Sequence, residues 1–221
     1  MNEADLRILV DEITQQILAA NQRESLLKQE EDWLPVGVSV RHVHISSHDL
    51  EVLYGPGCTL TPLRELYQVG EYACKEVVAL VGPRMRALES VRILGPVREK
   101  TQVEVSRTDA VYLGIDPPVR ASGDLTGSSP ITLVGPKGTL VLQEGAIVAN
   151  RHIHMNSTDA NRYGVVDNDI VKVEVLGDKG LVFNNVQIRV QDSFRLQMHV
   201  DTDDANASGI TNGAKARILP K

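Results

Sequence analysis

The segment RHVHISSHD, residues 41–49, occurs a second time in the chain as RHIHMNSTD, residues 151–159, and this duplication indicates how the chain folds. Both copies run on to a Tyr-Gly pair, at residues 54–55 and 163–164. In each copy an alternating run predicts a strand that projects its two histidines from one face. The polar N-cap, acidic first turn and closing glycine then predict a short helix. Two such units predict two similar halves of the molecule that face each other.

A weaker third copy, QMHVDTDDAN, occupies residues 197–206 and puts His199 where His154 stands. Four of the six histidines therefore lie in the two matching pairs, and a fifth lies in this third copy. The sixth, His48, is replaced by Thr158 in the second copy, which predicts an exposed residue at a helix start. Five histidines remain as candidates for one shared site.

Composition narrows the class of protein. A chain of 221 residues forms one large domain or two small ones, and with two Phe and one Trp its core should be mainly aliphatic. The net charge of -6 argues against a general nucleic-acid binder. Cys58 and Cys74 are too few for a disulfide scaffold and fit a reducing compartment. With no long apolar run and no signal-peptide pattern, the sequence predicts a soluble intracellular protein without a membrane partner.

The N-terminal segment differs from the rest of the chain. Apolar residues at helical spacing predict an amphipathic helix over residues 1–21, followed by a polar linker over residues 22–35. Such a helix on a tether suits a partner surface or an encapsulation tag. An equal alternative is that the helix packs against the folded domain of the same chain or forms an oligomer contact.

From Val36 onward, short apolar runs separated by Gly and Pro turns predict many short strands, which is typical of small β-barrels or sandwiches. One of these predicted strands covers residues 109–115. Besides the two repeat helices, a helix is predicted at residues 62–66.

The paired histidines predict a metal site. Same-face residues on a strand lie about 6–7 Å apart at the backbone, so a His-x-His pair can offer two imidazoles to one metal. Two pairs plus His199 suffice for a two-metal site if carboxylates or water complete the shells. Ligands without thiolates suit zinc best, with cobalt, iron or manganese as alternatives. The competing interpretation is that the histidines only form hydrogen bonds inside the protein.

Carboxylates and arginines supplement the histidines. Glu104, inside the strand pattern KTQVEVS, is the outstanding carboxylate candidate for a metal ligand. Weaker candidates, better explained as helix caps or as side chains that orient an imidazole, are Asp159, Asp201 and Asp204. Arginine binds phosphate bidentately, so the arginines near the histidines and glycine-rich turns are compatible with a phosphate-containing substrate: Arg41, Arg98, Arg120 and Arg151. For each of them taken alone, an ordinary surface or salt-bridge position is the favoured interpretation.

Nucleophile and nucleotide motifs are absent from the sequence. Neither cysteine has a neighbouring histidine, and the chain contains no Gly-x-Ser-x-Gly elbow, P-loop or Rossmann fingerprint. A covalent mechanism is therefore not predicted.

Several long motifs resemble one known family, the PduL-type phosphotransacylases, which are phosphate propanoyltransferases associated with bacterial microcompartments. The resemblance covers about residues 36–213, and the N-terminal helix also resembles the encapsulation peptide of some members. The motifs that carry it are VRHVHIS (40–46), GPVREKTQVEVSRTDA (95–110), PPVRASG (117–123), ITLVGPKG (131–138) and NRHIHM (150–155).

The resemblance implies a mainly β fold of two small, similar β-barrels with a few short helices and a dinuclear zinc site between them. The barrels would be interleaved, with residues 36–46 and 155–221 in the first and residues 47–154 in the second. By matching motifs, one zinc would be held by His42, His44 and Glu104, and the second by His152, His154 and His199. Arg98 would bind phosphate, and the CoA-binding residues stay unassigned.

The implied reaction is reversible and converts acyl-CoA and phosphate into acyl phosphate and CoA, by direct attack of phosphate. The acyl-CoA would be propanoyl-CoA or one with a similar short chain. The implied cofactors are two Zn²⁺ ions, with Co²⁺ as an alternative, and CoA is a substrate or product. The resemblance also implies a homo-oligomer in the bacterial cytoplasm, inside a microcompartment of propanediol degradation, whose shell or cargo proteins bind residues 1–21. Two rivals are a dinuclear zinc hydrolase of thioesters or phosphoesters and a shell-associated protein with a structural metal.

Overall fold

The computed structural model describes residues 13–18 and 33–220. Residues 13–18 are helical and exposed, as the amphipathic pattern predicts, whereas the remainder of the predicted helix and residues 22–32 of the linker lie outside the described residues. The last three residues of the predicted linker belong instead to the first strand. In the part of the chain that is described, no helix has the length and apolar character needed to cross a membrane.

Short strands dominate the fold, and each helix between them has at most eight residues. In chain order, the elements of residues 33–220 are β1 (Trp33–Ser39), β2 (His42–Ser46), α1 (Ser47–Tyr54), β3 (Pro62–Glu65), β4 (Tyr72–Val81), β5 (Ala87–Arg98), β6 (Gln102–Glu104), α2 (Arg107–Leu113), β7 (Val119–Arg120), β8 (Ser129–Val134), β9 (Thr139–Ala149), β10 (His152–Met155), α3 (Ser157–Tyr163), β11 (Ile170–Val175), β12 (Leu181–Val190), β13 (Gln197–Asp201), α4 (Thr202–Ser208) and β14 (Lys215–Ile218).

The strands close into two six-stranded barrels with the same topology. The first barrel has the order β1-β13-β10-β12-β11-β14. The second has the order β9-β6-β2-β5-β4-β8, with β8 closing it against β4 and β9, and with β3 and β7 added at its edges. In both, the His-x-His strand runs parallel to one neighbour and antiparallel to the other. The predicted mainly β fold of two similar barrels is confirmed.

The chain passes between the barrels immediately before each histidine pair. Residues 40–41 lead from β1 in the first barrel to β2 in the second, and residues 150–151 lead from β9 back to β10 in the first. The predicted boundaries put residues 42–46 in the first barrel and residues 152–154 in the second, so the structure differs from them at both crossings. The reason is pairing: β2 bonds to β5 and β6, and β10 bonds to β12 and β13.

The strand–helix unit occurs four times, because residues 102–114 (QVEVSRTDAVYLG) match residues 197–209 (QMHVDTDDANASG) without a gap. Each helix has a polar N-cap, at Ser46, Ser106, Asn156 and Asp201, and each ends at a glycine with positive φ, at Gly55, Gly114, Gly164 and Gly209. Such glycines end helices because the left-handed backbone carries no Cβ penalty there.

Two local predictions are wrong. Residues 109–115 are not a strand: most of this segment lies in α2, which the capping box of Ser106 and Asp109 starts and Gly114 ends at φ 79°. Residues 62–66 are not a helix, because Pro62–Glu65 forms the edge strand β3 and pairs with β4. In both segments the local apolar pattern was too short to separate helix from strand.

Alternation along the two His-x-His strands sends the apolar side chains into the barrel cores. Val43, Ile45, Ile153 and Met155 are each 0% exposed. Burying each of them contributes about 1.5–3 kcal/mol, which fixes the strand register. The histidines of both strands consequently point to the opposite face, where the chain crosses between the barrels.

Candidate active site

The first ligand cluster joins His42, His44 and Glu104 on the adjacent strands β2 and β6, with His42 directly opposite Glu104. The Nε2 atoms of the two histidines are 3.2 Å apart, and they lie 3.5 Å and 3.7 Å from the two carboxylate oxygens of Glu104. Zinc bonds of about 2.0–2.1 Å in a tetrahedral shell put neighbouring donor atoms about 3.3 Å apart. The spacing of these three side chains therefore fits a zinc ion.

Outer contacts orient the first cluster. His42 Nδ1–H donates to the carbonyl of Val40 at 2.9 Å, which leaves the Nε2 lone pair free for a metal. Gln102 donates from its amide nitrogen to Glu104 Oε1 at 2.6 Å and accepts from the backbone N–H of Gly123 at 2.8 Å. Such outer hydrogen bonds are characteristic of metal sites, because they set the ligand's orientation and basicity.

The second cluster joins His152, His154 and His199 on β10 and β13. The ring centroids lie 4.7 to 4.9 Å apart, and His152 Nδ1–H donates to the carbonyl of Asn150 at 2.9 Å. Both ring nitrogens of His154 and Nε2 of His199 are buried without a hydrogen-bond partner among the described residues. Buried polar atoms are nearly always paired, so these nitrogens fit a site that a metal completes.

The two clusters occupy equivalent positions in the two barrels. His199 stands opposite His152 as Glu104 stands opposite His42. Gln197 stands opposite His154 in the same way, and Gln102 stands opposite His44. The fourth copy of the repeat, residues 102–114, is the sequence signal that marks Glu104 as the counterpart of His199.

Burial lowers the pKa of four imidazoles of the two clusters, whereas the pKa of His42 is raised because attraction to Glu104 outweighs its burial. Burial, followed by the charge of the neighbouring histidines, lowers the pKa of His154 to about 2 and that of His199 to about 3. The same two causes hold the pKa of His44 well below its ordinary value. Burial alone would raise the pKa of Glu104, but attraction to His42 outweighs it, so this pKa lies well below the usual range. Neutral imidazoles and an ionised carboxylate are the forms that bind metals.

Arg98 is the predicted phosphate-binding residue that lies beside the clusters. It ends β5 opposite Ser46 on β2, donates to Ser122 Oγ at 3.2 Å and lies 3.6 Å from a carboxylate oxygen of Glu71. Burial lowers the pKa of Arg98, yet arginine remains charged at any physiological pH. Arg98 lies close enough to Glu104 for the charge of that carboxylate to act on the pKa of Arg98. The guanidinium can therefore make a charged contact to an anion that is bound beside Glu104.

The other predicted arginines serve the fold. Arg41 binds Asp109 and Arg151 binds Asp204, so each crossing between the barrels is tied to the first turn of a helix. Arg120 lies on β7, 3.7 Å from a carboxylate oxygen of Asp124.

Three predicted side chains stand at helix starts. Asp201 is the N-cap of α4, and Asp159 lies in the first turn of α3. His48 is exposed on α1, away from both clusters.

One cleft of about 820 Å³ contains the whole candidate site. Both clusters and Arg98 line it, and so do the apolar side chains of Leu63, Tyr67 and Phe194. Phe194 stacks on His154 with ring centroids 4.0 Å apart, which forms one wall beside the second cluster. Neither cysteine borders the cleft, and Cys74 is fully buried.

Comparison with known proteins identifies the family. The family described as phosphate propanoyltransferase matches residues 35–211. The chain belongs to this family. Relatives named phosphate propanoyltransferase include one from Thermotoga maritima, 55% identical over 87% of this chain and 92% of the relative, and one from Lachnoclostridium phytofermentans, 53% identical over 84% and 87%. A relative from Salmonella typhimurium is 47% identical over 92% of this chain and 97% of its own.

As a member of the phosphate propanoyltransferase family, the protein is an acyltransferase. The family resemblance of the sequence motifs is confirmed, and the matched residues cover both clusters, the whole second barrel and all of the first barrel except β14 and the start of β1. The non-enzymatic alternative, a shell-associated protein with a structural metal, is overturned by this membership.

Proposed function

We propose that the protein is a dinuclear zinc phosphotransacylase that interconverts acyl-CoA and phosphate with acyl phosphate and CoA. The observation that carries the proposal is that both ligand clusters and Arg98 line the same cleft. Propanoyl-CoA is the expected substrate, since the relatives are named phosphate propanoyltransferases. Acyl chains that differ by one methylene change binding by only about 1–3 kcal/mol, so closely related short chains should also react.

The donor set supports zinc. His42, His44 and Glu104 would hold one ion, and His152, His154 and His199 the other. Imidazole and carboxylate ligands without a thiolate suit zinc and also accept cobalt. When bound, the metals supply Lewis-acid polarisation of the thioester carbonyl and a soft partner for the departing thiolate.

The chain's own residues orient the second substrate. Arg98 holds phosphate through a charge-assisted, bidentate contact and directs one phosphate oxygen at the carbonyl carbon. That oxygen forms the new bond to carbon, the carbon–sulfur bond breaks, and the electron pair leaves on the sulfur of CoA. Glu71 and Ser122 fix the Arg98 guanidinium, so it does not need to be ordered during the reaction.

Direct attack of phosphate is supported by the positions of the two cysteines, the candidate nucleophiles. Cys58 and Cys74 both lie outside the cleft lining. Trapping a stable acyl-protein in the absence of phosphate would overturn this part of the proposal.

The experiment combines metal analysis of the purified protein with an assay of CoA release from several acyl-CoAs, with and without phosphate. We expect two zinc ions per chain and a strict requirement for phosphate. Phosphate-independent release of CoA would instead indicate the zinc hydrolase.

His154→Ala tests the ligand assignment, with His48→Ala as the matched control. We expect His154→Ala to lose one metal and its activity, because His154 belongs to the second cluster. His48→Ala should behave as the wild type, since His48 is exposed on α1. Intact activity with full metal content in His154→Ala would contradict the assignment.

We also propose that residues 1–21 target the enzyme to the interior of a microcompartment in the bacterial cytoplasm, by binding shell or cargo proteins, and that the enzyme works there as a homo-oligomer in propanediol degradation. The exposed helical residues 13–18 support a binding role, because Ile13, Ile17 and Leu18 are each about half exposed. Deleting residues 1–21 should release the enzyme into the surrounding cytoplasm without changing its turnover. Encapsulation of the shortened enzyme would contradict the targeting role.

A further inference from the structure

Arg189 is a cation that lines the cleft beside the second ligand cluster. It lies on β12, directly opposite His154 on β10, and lines the same cleft as both clusters. Its side chain is partly buried, and across residues 13–18 and 33–220 its guanidinium has no ion-pair or hydrogen-bond partner. Leaving a partly buried charge unpaired is costly, so this position fits an anionic ligand.

The cleft that Arg189 lines contains a further cation, Arg98. Burial lowers the pKa of Arg98, and charge repulsion from the nearby Arg189 lowers it further. Glu104 provides the only carboxylate of the two clusters. Two guanidinium groups that repel each other across one cleft are stabilised when an anion lies between them.

The two arginines have related positions in the two barrels. Arg98 ends β5, which runs parallel to the His-x-His strand β2, and Arg189 lies on β12, which runs parallel to the His-x-His strand β10. Each arginine therefore lies beside one metal-ligand cluster. A ligand that meets both must be small and lie between the clusters, which fits orthophosphate better than the nucleotide end of CoA.

We propose that Arg189 is a second phosphate-binding residue, which holds the anion from the side of the three-histidine cluster while Arg98 holds it from the other side. The inference rests on the proposed function and deepens it. A tetrahedral phosphate dianion has four oxygens, enough for charge-assisted contacts to two guanidinium groups. Two contacts from different barrels fix the orientation of phosphate as well as its position, which favours one line of attack.

The test compares Arg189→Gln and Arg189→Lys with Arg64→Gln, an exposed arginine of β3 that borders the same cleft. The measurements are calorimetric titration of the zinc-loaded protein with inorganic phosphate, the KM values for phosphate and for acyl-CoA, and metal content. For Arg189→Gln we expect the Kd and KM for phosphate to rise about 10- to 100-fold, as for loss of a charged hydrogen bond. The KM for acyl-CoA and the metal content should stay unchanged.

The control variants sharpen the result. Arg189→Lys should regain part of the phosphate affinity, because it keeps the charge and loses the bidentate geometry. Arg64→Gln should bind phosphate like the wild type. Unchanged phosphate affinity in Arg189→Gln overturns the inference, and so does a rise confined to the KM for acyl-CoA, which would assign Arg189 to the phosphates of CoA. Loss of metal in both Arg189 variants also overturns it.

Failure of the inference and failure of the proposed function are distinguishable. Phosphate-independent turnover by the wild type contradicts the function itself. Phosphate-dependent turnover by the wild type, with unaltered phosphate affinity in Arg189→Gln, contradicts the role of Arg189 alone.

Discussion

Gln102 shows how single residues control the candidate site without binding the substrate. Its amide donates to Glu104 and to Ser122, and its oxygen accepts from the backbone of Gly123. Since Ser122 also accepts from Arg98, one glutamine connects the first ligand cluster to Arg98, the proposed phosphate-binding residue. The carboxylate of Glu104 is consequently held in one orientation before any ligand binds.

Replacing Gln102 with Met should weaken metal binding at the first cluster. The substitution keeps the volume but leaves Glu104 Oε1 without its 2.6 Å donor. Loss of such an outer contact costs about 10- to 100-fold in metal affinity or activity. Competition with a chromophoric zinc chelator measures the effect, with the exposed Gln143→Met as control. Wild-type affinity for both metals in Gln102→Met would contradict the role of Gln102.

Removing both cysteines should leave turnover close to that of the wild type. Burial raises the pKa of Cys74 to about 11, so its thiol stays protonated and unreactive at neutral pH. Steady-state rates of Cys58→Ala/Cys74→Ala in both directions measure the effect, with the thermal midpoint as a check on folding. Loss of activity in a folded variant with full metal content would indicate a cysteine nucleophile.

The strand–helix unit is the element from which both barrels build their half of the site. A capped helix follows each of the strands β2, β6, β10 and β13. All six candidate metal ligands lie on these strands, one or two per strand. The helix caps fix the residue at which each strand ends. They thereby fix the positions of the ligands relative to the crossing between the barrels.

Ser106→Ala should destabilise the protein by about 1 kcal/mol, within the range of about 0.5–2 kcal/mol for loss of an N-cap. Ser106 is buried, and its hydroxyl accepts from the backbone N–H of Asp109 in the capping box of α2. Urea denaturation measures the change. Thr108→Ala in the same helix is the control, because Thr108 is exposed and its backbone N–H stays in place. Equal stabilities of the two variants would contradict the contribution of the cap.

The two barrels also meet at the rim of the cleft, where Gln68 joins them. Gln68 lies between β3 and β4 of the second barrel and is only 4% exposed. Its amide donates to the carbonyl of Arg195, and its oxygen accepts from the N–H of Arg195, both at 3.0 Å. Arg195 belongs to the first barrel and follows Phe194, which stacks on His154. This contact holds one wall of the cleft in place.

Gln68→Ala should loosen the cleft without removing a metal ligand. Loss of the two hydrogen bonds leaves backbone groups unpaired, which costs about 1–3 kcal/mol each when buried. We expect faster hydrogen exchange at residues 191–196 and a raised KM for acyl-CoA, with unchanged metal content. The exposed Gln143→Ala is the control. Exchange rates equal to those of the wild type would show that the barrels are held together elsewhere.

Features of short range were readable in the residues themselves. The His-x-His alternation predicted β2 and β10, and the polar caps and closing glycines predicted α1 and α3, because these signals act within one turn or one strand. Short segments without a decisive pattern were misassigned, as in β3 and α2. The third copy of the repeat connected His199 with the histidine pairs, and the strand pattern KTQVEVS marked Glu104 as a candidate ligand, but only the family resemblance divided the six ligands between two ions.

Which strands pair is decided by the tertiary structure, because alternation is the same for any partner and pairing joins distant residues. The register of β2 with β6 brings Glu104 to His42, and that of β10 with β13 brings His199 to His152. The crossings at residues 40–41 and 150–151 likewise follow from pairing. Arg189 has no signal in its own segment, since only the parallel pairing of β12 with β10 puts its guanidinium beside the histidines.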